Sequence, residues 1–215
     1  AAALKQVPAC EYNPMEAIKT NILGSSNVVD AALDAGVKQV LALSTDKAVN
    51  PVNLYGATKL AAEKLFVQSN SYAGGMATRF ACVRYGNVLA SRGSVIPLFH
   101  DQIRNGGPVT ITTTDMTRFL LSLDDAVDTI FSAVREAKPG ETYVPRAPSA
   151  LVTNIAAALI GDRDISTVVT GIRPGEKVHE IMVSDEEANR SEERGRWYAI
   201  LPMLPEVSGD RECVG

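Results

Sequence analysis

The chain has 215 residues, 46% hydrophobic and 21% charged, enough apolar material for a real core, which excludes disordered, collagen-like and coiled-coil classes. Its net charge of −4 collects into no block, so nothing marks a nucleic-acid partner, and no run approaches the ~18 apolar residues of a membrane span. No basic and apolar leader opens the chain, so the segment is expected to make no membrane contact. Cys10, Cys82 and Cys213 are odd in number and far apart, which predicts a reducing, cytoplasmic setting; with His100 and His179 as the only histidines, no metal centre is expected.

In chain order, Asn13, Pro14 and Glu16 read as N-cap, first helical residue and capping partner of a long amphipathic helix that Gly36 closes. Val40-Leu41-Ala42-Leu43 reads as a buried strand, Ser44-Thr45-Asp46-Lys47 as the loop after it, and Asn50-Pro51-Val52-Asn53 as a turn. A second helix over about 54–69 and a strand over 80–85 complete a pattern of helix, strand, loop, helix, strand. This is the order of a doubly wound α/β domain with a parallel sheet. Beyond Ser94 the rhythm loosens into α+β decoration: helices over 96–104, 124–136 and 153–160, strands over 109–112, 142–144 and 167–172, and a turn at Asn105-Gly106-Gly107-Pro108. The charged stretch 184–196 is expected to be a solvated surface helix, with a frayed tail over 206–215.

The chemistry concentrates in two places. Tyr55 and Lys59 are four residues apart on the second helix and so share a face. An ammonium beside a phenol favours the phenolate, which would lower Tyr55 toward working pH and make it a base for a hydroxyl group. Ser44-Thr45-Asp46-Lys47 directly follows the first strand, at the carboxyl end where open α/β sheets place ligands. There Ser44 or Thr45 offers a hydroxyl, and Asp46 and Lys47 an acid and a base side by side.

Ser44-Thr45-Asp46-Lys47, Asn53-Leu54-Tyr55-Gly56-Ala57-Thr58-Lys59, Arg84-Tyr85-Gly86-Asn87-Val88 and Arg173-Pro174-Gly175-Glu176-Lys177 together resemble the extended short-chain dehydrogenase/reductases. More narrowly they resemble the inverting UDP-N-acetylglucosamine 4,6-dehydratases and related polysaccharide-biosynthesis proteins. The Thr-Asp-Lys form of the loop is the specific part, since retaining dehydratases carry Thr-Asp-Glu and simple epimerases lack the acid/base pair. The resemblance implies a Rossmann-like domain that binds NADP, or NAD, and a lyase reaction on a UDP-sugar. In that reaction Tyr55 with Lys59 takes the proton from the 4-hydroxyl, Lys47 the proton at carbon 5, and Asp46 protonates the departing 6-hydroxyl; Thr45 counts with them as catalytic. Both Lys47 and Asp46 need shifted pKa values for these roles. A 4- or 5-epimerase, and a non-catalytic relative, are the alternative readings.

The resemblance also carries binding roles. Ala2, Ala3, Lys5, Asn21 and Tyr85, with Tyr55 and Lys59, would line the dinucleotide; Asn87, Ser91, Arg92, Ser94, Thr112, Arg118, Arg173 and Glu176 would bind the nucleotide-sugar. Two arginines suit a diphosphate because each guanidinium donates in a fork. On this reading residues 1–90 are the later part of the Rossmann domain and 91–205 mostly the nucleotide-sugar part, with strands returning to the sheet. A homo-oligomer is expected through the helices near 14–35 and 54–69. The glycine-rich dinucleotide turn is not in the sequence, so roughly three βα units of about 30 residues are expected upstream, and this segment alone is expected to be inactive.

Overall fold

A computed structural model of the chain describes residues 3–73, 77–89, 91 and 94–207. They divide into two compact units: Ala1–Tyr85 with Val127–Arg146 and Ile181–Gly215, and Gly86–Ala126 with Ala147–Glu180.

The first unit opens with α1 (Val7–Tyr12) and α2 (Pro14–Ile18). The expected Asn13 cap does not form. Its side chain instead donates back to the Ala9 carbonyl (3.1 Å), and Glu16 bonds Lys19 (3.2 Å) rather than the helix start. The expected single helix is interrupted by a π-helical turn, Lys19–Leu23, before α3 (Gly24–Asp34). Gly36, at φ +63°, ends it as predicted, with Val37 N–H on Ala32 O and Gly36 N–H on Leu33 O.

β1 (Gln39–Thr45) leads into a 3-10 turn, Asp46–Ala48, and then α4 (Leu54–Tyr72), whose first turn the Asn53 side chain caps through Gly56 N–H at 2.8 Å. β2 is Arg79–Tyr85. The later elements of this unit are most of α6 (Leu123–Glu136), β5 (Thr142–Pro145), α8 (Asp185–Ala188), β8 (Ser191–Arg194) and β9 (Trp197–Ile200). The sheet order is β1-β2-β5-β9-β8, parallel across β1, β2 and β5 and antiparallel beyond. β2 is buried on both faces with the period of a strand: Phe80 and Cys82 meet Val29, Ala32 and Phe66 of the helices, while Ala81 and Val83 meet Ala133 of α6 with Tyr143 and Ala199.

Three expectations change here. β1 pairs with β2 alone among the described residues and is half-buried, with Leu43 37% exposed, so it is not a buried strand. The stretch 184–196 is not one surface helix: only Asp185–Ala188 is helical, and the rest is the β8–β9 hairpin turning at Gly195, φ +62°. The expected tail also starts too early, because Pro205–Val207 forms a turn that buries Val207, while 208–215 lie outside the described residues.

The second unit contains α5 (Val95–Arg104), β3 (Val109–Ile111), β4 (Thr117–Phe119), β6 (Ser149–Leu151), α7 (Val152–Ile160) and β7 (Thr167–Val169). β3 pairs with β7 in parallel and β4 with β6 antiparallel. Phe99, Val109, Ile111, Met116, Val152, Ile155, Ala156 and Ile160 form its core. Among the described residues no helix is long and apolar enough to cross a membrane.

Candidate active site

The C-terminal end of β1 and the first turns of α4 bring Thr45, Asp46, Lys47, Tyr55 and Lys59 into the first unit's polar cluster. Thr45 Oγ1 donates to Asp46 Oδ1 (2.9 Å), and Lys47 Nζ reaches the same oxygen at 3.1 Å. Asp46 is 1% exposed, and its second oxygen, Oδ2, is buried with no hydrogen-bond partner among the described residues. An unpaired buried carboxylate oxygen is costly unless a ligand or an ordered water completes it.

Tyr55 is buried against Cys10 and Ala17, and its hydroxyl shares a hydrogen bond with the Thr45 side chain. Burial pushes the phenol up to about 12; the Thr45 hydrogen bond pulls it back in part, and the Asp46 carboxylate pushes it further. Lys59, held down by burial, donates its ammonium to the Leu43 carbonyl at 2.6 Å. The expected lowering of Tyr55 by Lys59 is therefore absent from this state: the ammonium is spent on the edge of β1, and desolvation dominates the phenol.

Why the loop and helix meet so closely is visible at Gly56. A Cβ there would lie 2.1 Å from the Lys47 carbonyl oxygen and 3.0 Å from Pro51 Cβ, so only glycine lets α4 start against the Thr45–Lys47 segment.

Of the residues expected at a dinucleotide, Asn21 is 3% exposed and fully engaged: Oδ1 accepts from Leu4 N–H, and Nδ2 donates to Leu4 O (both 2.9 Å) and to Thr58 Oγ1 (3.0 Å). It thus holds the segment that bears Ala3 and Lys5, both exposed, and has no amide left for a ligand. Tyr85 ends β2, half-buried, with its phenol pushed up by burial. Ala2 lies outside the described residues.

In the second unit, Asn87, Ser94, Thr112, Arg118, Arg173 and Glu176 line one cavity of about 180 Å³. Ser91 is not among its lining residues, and Arg92 lies outside the described residues. Arg118 donates to the carbonyls of Thr117 (2.7 Å), Val178 and Lys177 (both 3.0 Å), and no carboxylate pairs with it among the described residues. Arg173 is exposed and likewise meets no carboxylate among the described residues. Glu176 Oε2 and Ser94 Oγ are buried without a hydrogen-bond partner among the described residues. Thr110 and Thr170 also line this cavity and were not anticipated.

A larger omission lies behind the first cluster. Arg84, 1% exposed, donates to both Glu63 and Glu187 and to the Met182 carbonyl, and Glu63 also accepts from Ser44 Oγ at 2.5 Å. Glu63 was within reach of sequence reasoning, standing four residues after Lys59 on the same face. Glu187 was not, being 103 residues from Arg84.

A parallel sheet flanked by helices, with a Tyr-x-x-x-Lys helix beside an acid/base loop at a strand end, defines a short-chain dehydrogenase/reductase of Rossmann fold. The chain belongs to the polysaccharide biosynthesis protein family, whose model matches residues 1–202. It is 51% identical over 213 residues to a UDP-N-acetylglucosamine 4,6-dehydratase (inverting) of Campylobacter jejuni subsp. jejuni serotype O:23/36, covering 99% of this chain and 63% of that protein. It is 45% identical to a UDP-glucose 4-epimerase of Rickettsia akari, over 94% of this chain and 60% of that one. The crystal structure of Pen from Bacillus thuringiensis superposes with a TM-score of 0.88 at 38% identity, covering 95% of this chain and 65% of that one. The chain thus spans less than two thirds of the length of each.

Proposed function

We propose that the full-length protein is a nucleotide-sugar 4,6-dehydratase acting on UDP-N-acetylglucosamine in the biosynthesis of a surface polysaccharide or glycan, with inversion at carbon 5. The observation that carries this reading is the buried Asp46 carboxylate, bonded by Lys47 and keeping one oxygen unpartnered among the described residues. An epimerase needs a base for one hydroxyl; a buried acid and an amine beside that base are what breaking a C–O bond further requires. The 51% identity to an inverting dehydratase supports it.

The donor set fits a nicotinamide dinucleotide: a buried phenol, a lysine four residues on, and Tyr85 at the neighbouring strand end. A bound NADP, or NAD, would take hydride from carbon 4 and return it to carbon 6. The chain's own residues handle the protons. Tyr55 receives that of the 4-hydroxyl; the resulting ketone acidifies carbon 5; Lys47, as an amine, takes the proton there; and Asp46, as an acid, protonates the departing 6-hydroxyl. The second unit's cavity, with Arg118 and Arg173 unpaired to any carboxylate among the described residues, holds the diphosphate on this reading, and Glu176 the uridine ribose.

Incubation of the full-length protein with UDP-N-acetylglucosamine and NADP is expected to give a product lighter by one water, read by mass spectrometry. The 45% identity to a UDP-glucose 4-epimerase favours a second reading, in which the sugar changes configuration at constant mass. An unchanged sugar would overturn both. Lys47→Glu should abolish or redirect elimination while cofactor affinity, read by fluorescence titration, stays the same.

We further propose a cytoplasmic homo-oligomer: Cys10 and Cys82 are free and buried, and Met15, Leu23 and Val28 on the helices near 14–35 are half or more exposed.

A further inference from the structure

We infer that Glu63 is a positioning residue for the elimination: its carboxylate, braced by Arg84, grips Ser44 and so holds the Thr45–Lys47 loop at its working distance from α4. This rests on the dehydratase reading above. It gives the buried Arg84 cluster a part in the chemistry as well as in stability.

One face of α4 touches the chain on both sides of that loop. Gly56, Lys59 and Glu63 stand three and four residues apart, so they line the same side of the helix. Gly56 lies against the Lys47 carbonyl, where a Cβ would come within 2.1 Å. Ahead of the loop, the Lys59 ammonium donates to the Leu43 carbonyl at 2.6 Å, and Ser44 Oγ donates to Glu63 Oε2 at 2.5 Å. Thr45 and Asp46 are thus suspended between two grips of a single helix. Lys59 has a second claim on it, the dinucleotide, so the Ser44–Glu63 bond is the grip ahead of the loop for which no ligand competes.

That bond is built to be stiff. Its length is that of a hydroxyl on a carboxylate, and both ends are buried, Ser44 at 8% exposure and Glu63 at 4%. Arg84 fixes the plane of the carboxylate, with Nη2 donating to Oε1 and Nε to Oε2 at 3.4 Å. Arg84 is fixed in turn from its far side by Glu187 at 2.7 and 2.9 Å and by the Met182 carbonyl at 2.9 Å. The Ser44 hydroxyl, having given its hydrogen to Glu63, has none for a substrate oxygen; it acts on the loop instead.

The two halves of the reaction depend on this grip unequally. Tyr55 and Lys59 belong to α4 itself, whereas Asp46 and Lys47 are placed against α4 only through the loop. Loosening the loop therefore misplaces the acid and the base of the elimination more than the base of the oxidation.

The test compares full-length wild type, Ser44→Ala, Ser44→Thr and Glu63→Gln on UDP-N-acetylglucosamine, with water loss read by mass spectrometry and the reduced nicotinamide by its absorbance. Ser44→Ala leaves every ion pair in place. It is expected to slow water loss about tenfold to a hundredfold, the order that a misplacement of ~1 Å costs, with KM little changed. Reduced nicotinamide should accumulate in this variant, because oxidation outruns elimination. Ser44→Thr, which keeps the hydroxyl, should recover most of the rate. Glu63→Gln should act as Ser44→Ala does, and the two together should lose little more than either alone; additive losses would mean that Ser44 does not act through Glu63. Water loss at the wild-type rate in Ser44→Ala would overturn the positioning role, and so would a slow variant in which no reduced nicotinamide builds up, since a general loss of structure slows both steps. Failure of the wild type to release water would sink the dehydratase reading instead.

A readout without turnover decides the geometry by itself. Amide hydrogen exchange is expected to quicken over 45–48 in Ser44→Ala while the C-terminal half of α4 keeps its wild-type protection. Unchanged exchange over 45–48 would show that the Ser44–Glu63 bond is not what holds the loop.

Discussion

Arg84→Met is expected to cost about 3–5 kcal/mol of stability, because it strands two buried carboxylates that now share one guanidinium. Glu63, with a side chain 3% exposed, and Glu187 would be left facing each other's charge in a dry interior, with Ser44 Oγ still donating to Glu63, and the Ser184 backbone N–H and the Arg190 guanidinium at 3.7 Å still facing Glu187. Chemical denaturation of the full-length protein checks the size. The pH dependence checks the cause. In the wild type, burial alone would raise Glu187, but the hydrogen bonds and charge of Arg84 outweigh it and hold the carboxyl below its usual range. A depressed folded value contributes stability above the unfolded carboxylate range and loses it as pH falls through the folded value. Without Arg84 burial dominates and the Glu187 carboxyl rises, so the variant should instead lose stability as pH climbs through the carboxylate range. A variant that kept the wild-type slope would show that the ion network is not what holds this corner. Replacing Arg84, Glu63 and Glu187 together by apolar residues of similar size should recover much of the loss.

Gly56→Ala is expected to leave a folded protein with little activity. The added methyl would stand 2.1 Å from the Lys47 carbonyl oxygen, which is backbone and has no rotamer to escape into. Either α4 shifts along its axis or the Asp46–Ala48 turn moves away, and both change the distance between Thr45 and Tyr55. Overpacking of this kind costs about 1–3 kcal/mol, whereas a misplacement of ~1 Å between reacting groups costs about a hundredfold in rate. Turnover should therefore fall much further than the melting temperature; a variant with normal kcat would mean that the spacing between the loop and the helix is slack.

The parts of the site that sequence reasoning found are those whose partners are close in the chain. Thr45, Asp46 and Lys47 are consecutive, Tyr55 and Lys59 are one helical turn apart, and Gly36 announces a helix end by itself. The cavity of the second unit was found through short motifs, six residues of which the fold gathers from 87 to 176. What failed depended on distance. The charges of 184–196 look solvated until Arg84 is placed against Glu187 and Arg194 against Glu141 (2.7 and 2.8 Å), which turns an apparent surface helix into a pinned hairpin. The protonation of Tyr55 failed for a different reason: spacing puts Lys59 on its face but does not say that the ammonium prefers a strand carbonyl.

The π-helical turn at Lys19–Leu23 trades helical regularity for an anchor. One extra residue in that turn shifts the phase of everything after it, so no single helical wheel describes Pro14–Asp34. Deleting a residue there would give a smoother and intrinsically better helix, yet it would swing Asn21 away from Leu4 and Thr58 and let the 3–5 segment come loose. Local helical regularity and the anchoring of this segment pull in opposite directions at this turn, and the structure takes the irregular form.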